Sequence, residues 1–342
     1  MSFDVSKKTI NVFNDVEGKS SKINNTQKEI TDYIKQFQDY IFVYESTGIY
    51  SSTLHKACND AWVKHFFIHP NDSSKLFSSL FCKSNKTDEL DAKQLAQLTK
   101  LLLSQQEQFW KSKFIQPNSN QIAILRSHMS QIRFYKESMK LFQQRIEKMS
   151  FDAFSDKDAI KTLQDQIKDF ETKIYEIESK VIVIFDELGL KNKYKQLQTI
   201  PSVWETCAIE LTVFFSTLTD KGMTQKDNKK MLAYSWLNPD ISQSWTSTHS
   251  TSISKKWDKY IRTALYMTWM QRFRWVKCEK LKNTTIWQFA IKMINKFWSL
   301  TSKRWKSVAC AISHKILDIW RAIFHTEREF NWFLTPSFIS SL

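Results

Sequence analysis

The sequence predicts a mixed fold: an α/β layer at the N-terminus, an antiparallel helical hairpin in the middle, and a mostly helical, basic region at the C-terminus. Three observations predict it. Short aromatic and β-branched runs alternate with helical stretches up to residue 118. Apolar residues then recur at a 3,4 spacing as far as residue 188. Beyond that the pattern stays helical while Lys and Arg accumulate. The predicted domains are therefore 1–118, 119–190 and 191–342.

The first layer opens with "SFDVS" and "TINVF", two runs with apolar residues at period 2, which read as a hairpin of short strands. "DYIFVYES" (39–46) is a continuous apolar run, the pattern of a strand at the centre of a sheet. "WVKHFFIHP" (62–70) is another, closed by Pro70. Helical spacing lies between and after them, at about 26–37, 50–61 and 88–103. Strands joined through helices are parallel, so the sheet should begin antiparallel and continue parallel.

In the middle region Ile160, Leu163, Ile167, Phe170 and Ile174 begin a 3,4 series that runs unbroken to Leu188. Ile122, Leu125, Met129 and Ile132 begin a similar series that reaches Met149 with one stammer. "SFDAFSDK" (150–157) separates the two. This is a coiled-coil hairpin, a rigid spacer or an oligomerisation arm, and its apolar stripe is core.

Composition narrows the function. The chain has 342 residues, 42% of them hydrophobic, and a net charge of +15. From Thr251 to Ala322 there are 16 Lys and Arg against three acids. A basic region of that density usually meets phosphate, which points to nucleic acid. The five cysteines form no metal-like spacing and read as reduced core thiols of a cytosolic protein. No apolar run approaches the ~20 residues of a membrane span, and the N-terminus has no signal-peptide layout. A bacterial cytoplasmic, nucleoid-associated protein is the expectation.

Four acids could carry chemistry. Asp4 sits inside the first strand and Glu45 ends the "YIFVYE" strand. Asp88 and Asp91 share one face at the start of a helix. A strand carboxylate is costly unless it lies at an edge or binds something. Four carboxylates brought together would repel unless a cation neutralised them, and hard oxygen ligands suit Mg²⁺ or Mn²⁺. The bland alternatives are a helix-dipole partner at Asp88 and a strand-end charge at Glu45.

"FDVSKKTINV", "YESTGIY" and "NKTDELDAKQLAQL", in this order, resemble the DEDD transposases of the insertion-sequence-110 type. The resemblance continues through "LQTIPSVWETCAIEL", "SWLNPDISQSWT", "ISKKWDKYIRTALY" and "KRWKSVACAISHKIL". It implies an RNase H-like, RuvC-like first domain whose four acids are Asp4, Glu45, Asp88 and Asp91. It also implies a C-terminal transposase domain with a serine nucleophile, which falls on Ser244. Lys255, Lys256, Lys259, Arg262, Arg304 and Lys306 would contact phosphate. The implied partners are the DNA of the element's ends and target, a structured guide RNA, and further copies of the chain as a homodimer or homotetramer.

Two other readings use the same residues. The acids alone, acting through water, would make a metal-dependent junction nuclease with Ser244 dispensable. If the acids are structural, the chain is a nucleic-acid-binding protein without catalysis.

One number is abnormal. The chain has 13 tryptophans and four glycines, where average usage of about 7% would give roughly two dozen glycines. Trp236, Trp245, Trp257 and Trp305 stand where the resembled family has glycine, and Trp62 and Trp204 fit the same pattern. Some bacterial lineages read UGA as glycine, so translating such a gene with UGA as tryptophan would produce this substitution. Genuine replacement in a decayed element is the alternative.

Overall fold

The computed structural model describes residues 1–80, 88–104, 118–152, 154–200, 203–224, 227, 230–231, 239–244, 247–253, 259–274, 292 and 305–326. They form two compact units, Met1–Asn120 and Gln121–Leu342.

The first unit is built on five strands: β1 (Ser2–Val5), β2 (Thr9–Asn14), β3 (Lys19–Asn24), β4 (Phe42–Glu45) and β5 (His65–Ile68), in the order β3-β2-β1-β4-β5. β1, β2 and β3 pair antiparallel, and β4 and β5 join parallel. The opening hairpin and the two later strands match the sequence pattern. β3 was not expected, because "KSSKIN" is almost wholly exposed and polar and carries no apolar alternation. The last strand starts at His65 rather than residue 62, because Trp62 and Val63 still close the preceding helix.

Helices α1 (Gln27–Gln36), α2 (Ser52–Asp60), α3 (Pro70–Leu80) and α4 (Asp88–Ser104) flank the sheet. Thr26 caps α1 by accepting from the Glu29 amide, while the Glu29 carboxylate accepts from the Asn24 amide at 2.7 Å. Pro70, read as a strand terminator, also opens α3, where its missing N–H costs nothing. Alternation sends Phe3, Val5, Phe42 and Tyr44 to the face covered by α1 and α2, where they pack with Ile30, Ile34 and Leu54. Val43 and Ile68 take the opposite face with Leu95 and Leu98 of α4. Burying each such side chain is worth about 1.5–3 kcal/mol.

The second unit begins with two 31-residue helices, α5 (Asn120–Ser150) and α6 (Lys157–Glu187). Asp156 caps α6, accepting from the Asp158 amide at 2.9 Å. Phe170 stacks against both Tyr135 and Phe142, at 5.2 and 5.7 Å between ring centres, so the helices run antiparallel. The buried positions on α5 are Ile122, Leu125, Met129 and Ile132, the first members of the 3,4 series. Their core continues into α7 (Lys191–Gln198), α8 (Glu205–Asp220), α9 (Lys259–Arg274) and α10 (Trp305–Thr326). Trp320 of α10 is fully buried in it. β6 (Pro239–Ser244) and β7 (Ser247–Ile253) form a separate antiparallel pair, in a stretch whose Ser, Thr and Pro content reads as loop.

Burial holds the His65 imidazole below its ordinary titration range; one ring nitrogen donates to the Val63 carbonyl at 2.9 Å and the other has no partner. The native state therefore resists protonation that the unfolded chain accepts near pH 6.5. The stability this provides is present above pH 6.5 and is lost as pH falls below it. Denaturant unfolding of the full chain should show the first unit weakening as pH falls below about 6.5. His65→Gln should flatten that slope, and an unchanged slope would count against His65 as its source.

Candidate active site

Asp4 lies in β1 opposite Asn11 of β2. On its other side β1 runs parallel to β4, with Ser2 opposite Val43 and Phe3 opposite Tyr44. Extending that register by one residue sets Asp4 across from Glu45. Neighbouring strands are about 4.8 Å apart, and residues in register point to the same face. The two carboxylates thus lie side by side at the end of the central strand pair, both half-buried.

The face is the one that α4 covers. Asp4 shares it with Ser2, whose hydroxyl donates to the Ala92 carbonyl of α4 at 2.6 Å. The C-terminal part of α4, through Ala96, Thr99 and Lys100, lines a cavity with Met1, Asp15 and Ile41, at the start of β1 and β4. Lys100 pairs with Asp15 there at 2.8 Å. α4 therefore runs opposite to β1, and its first turn, carrying Asp88 and Asp91, lies toward the Asp4 and Glu45 end. Asp91 is half-buried; the Asp88 side chain lies outside the described residues. Among the described residues no group of three or more acids, histidines or cysteines is placed to hold a metal ion.

Ser244 is the last residue of β6 and pairs with Ser247, the first of β7. Its side chain lies outside the described residues, as do Lys255, Lys256, Arg304 and the side chain of Lys306. A register shift between Asp240 and Ile241 marks the far end of the same hairpin. Lys259 and Arg262 lie in the first turn of α9, the helix that follows. Lys259 is exposed and donates to Glu137 of α5 at 2.7 Å. That bond raises the Lys259 titration range and lowers that of Glu137. Arg262 is half-buried.

The sequence reading passed over the groups that seat this helix. Tyr260 also donates to Glu137, at 3.1 Å, and the Arg133 guanidinium stacks on its ring at 4.0 Å. Arg133 in turn pairs with Glu210, a mostly buried carboxylate of α8. One signal was available: Glu210 interrupts the apolar run "CAIELTVFF", where an unpaired charge would be expensive.

These elements also carry the similarity to known proteins. Residues 194–284 match the sequence model of the transposase IS116/IS110/IS902 family. Over that stretch the match supports an insertion-sequence transposase. It spans α8, the β6–β7 hairpin with Ser244, and α9 with Lys259 and Arg262. The four acids lie outside it. No curated protein matches the chain. Among the described residues no helix is long and apolar enough to cross a membrane.

Removing Arg133 should strand the Glu210 carboxylate in the core. Arg133→Met alone is expected to cost about 3 kcal/mol, measured by urea denaturation. The double variant Arg133→Met, Glu210→Leu should recover most of that loss. Equal losses in the single and double variants would show that the ion pair is not the source.

Proposed function

We propose that this chain is the transposase of an insertion sequence and that it exchanges DNA strands through a phosphoserine intermediate at Ser244. The observation that carries the reading is the family match over 194–284, with Ser244 inside it at the tip of a strand pair.

In this mechanism the Ser244 hydroxyl oxygen bonds to the scissile phosphorus, and the bond to the leaving deoxyribose oxygen breaks. The new phosphoserine conserves the energy of the broken bond, so a hydroxyl from the partner strand can reverse the step without ATP. Lys255, Lys256 and Arg262 would offset the charge that builds on the phosphate. Lys259, Arg304 and Lys306 would grip the flanking backbone, which gives affinity without reading bases.

The acidic end of the first unit would hold divalent metal. Asp4, Glu45, Asp88 and Asp91 would supply the oxygen donors that Mg²⁺ and Mn²⁺ take, and they would have to draw together to do so, because no three of the described acids are placed to hold an ion. When bound, it would polarise the phosphate and help deprotonate the nucleophile. The chain would act as a homodimer or homotetramer. Sequence choice would come from a structured guide RNA.

The test is a covalent-adduct assay. The full chain, with glycine at 62, 204, 236, 245, 257 and 305 in one preparation, is incubated with the element's end DNA, its flanking RNA and Mg²⁺. A denaturant-resistant protein–DNA band is expected, absent in Ser244→Ala. Asp4→Asn and Glu45→Gln should each slow its formation by roughly a thousandfold, the effect of losing several kcal/mol of charge stabilisation. Cleavage with no band, indifferent to Ser244→Ala, would instead establish the hydrolytic junction nuclease. Binding without cleavage in any metal would leave a non-catalytic nucleic-acid-binding protein.

A further inference from the structure

Three helices of this protein end in the same way. After α6 the Gly189 amide donates to the Asp186 carbonyl at 3.1 Å, and the Leu190 amide to the Phe185 carbonyl at 2.7 Å. After α8 the Gly222 amide donates to Thr219 at 2.8 Å and the Met223 amide to Leu218 at 3.0 Å. After α2 the Trp62 amide donates to Asn59 at 3.1 Å and the Val63 amide to Cys58 at 3.1 Å. This crossed pair of bonds is the Schellman termination, which puts the residue just past the cap in the left-handed region. The φ values are 66° at Gly189, 75° at Gly222 and 55° at Trp62.

Glycine fills the first two sites because it has no Cβ to crowd the following carbonyl. Trp62 fills the third, and among the described residues it alone is a non-glycine at positive φ. Its indole does nothing to offset the cost. It is 94% exposed, whereas Trp320, whose indole packs in a core, is 0% exposed. The neighbours fit the motif. Val63 and Cys58, which the termination brings together, are both buried in the core of the first unit. Everything at this turn is suited to glycine except the residue written there.

We propose that position 62 is glycine in the protein its host makes, the codon being UGA decoded as glycine. The four glycines among 342 residues agree with such decoding at further positions.

Peptide masses decide it, independently of any activity. The protein is isolated from cells of its source and cut with trypsin. Cleavage after Lys56 and Lys64 releases residues 57–64; cleavage after Lys230 and Lys255 releases 231–255. The expected masses carry glycine at 62 in the first peptide and at 236 and 245 in the second. Tryptophan at 62, or a UGG codon there, overturns the proposal. A second measurement stands on conformation alone. In the recombinant full chain Trp62→Gly should raise the unfolding midpoint of the first unit by roughly 2–4 °C. An unchanged or lower midpoint overturns the argument from the left-handed site.

Discussion

The parallel pairing of β1 with β4 is the constraint on which the first unit depends. It brings the starts of two apolar strands together in the middle of the sheet. Alternation then divides their side chains between two faces. Phe3, Val5, Phe42 and Tyr44 go to the core under α1 and α2, and Ser2, Asp4, Val43 and Glu45 go to the face under α4. A slip of one residue in either strand would send the acids into an aromatic core and the aromatics to the other face. Burial of the aromatics therefore fixes the place of the acids. The hydrogen bond from Ser2 to Ala92 adds the third part, because it ties α4 to β1 at the residue after Asp91.

The second unit solves a different problem. Its charges must remain available to phosphate while its helices pack. The long helices contribute an apolar stripe that merges with α7, α8, α9 and α10 into one core. α9 is then oriented by charge and aromatic contact: Arg133 reaches from α5 to Glu210 on α8 and stacks on Tyr260 of α9. A mostly buried ion pair gains little net stability over an apolar substitute, but it tolerates few alternative arrangements. Its worth here is in setting the direction of the helix that follows the serine hairpin. The Lys259–Glu137 contact is exposed and of the kind that contributes little. Phosphate can compete for Lys259 without disturbing the core.

The parts legible in the sequence are those whose reason is local. β1, β2, β4 and β5 announce themselves by apolar runs, and the long helices by a 3,4 repeat, unbroken in α6 and with one stammer in α5. β3 is hidden because its place comes from hydrogen bonds to β2 rather than from burial. The β6–β7 pair is hidden for a similar reason, since Ser and Thr runs carry no hydrophobic period. Arg133, Tyr260 and Glu137 are ordinary surface types in a linear reading. Only contacts across long sequence separations give them a role.

The sequence by itself determined the α/β-then-helical order, the basic bias of the last third, the candidate acids and serine, and the excess of tryptophan over glycine. Each follows from residue type, period or count, which need no partner from elsewhere in the chain. The tertiary structure decided which acids are neighbours, because strand register depends on a pairing between residues about forty positions apart. It also decided which tryptophans belong. The indoles at 62 and 320 are identical in the sequence, but one sits exposed on a left-handed turn and the other fills a core. Backbone conformation and burial distinguish them, and both are properties of the folded chain.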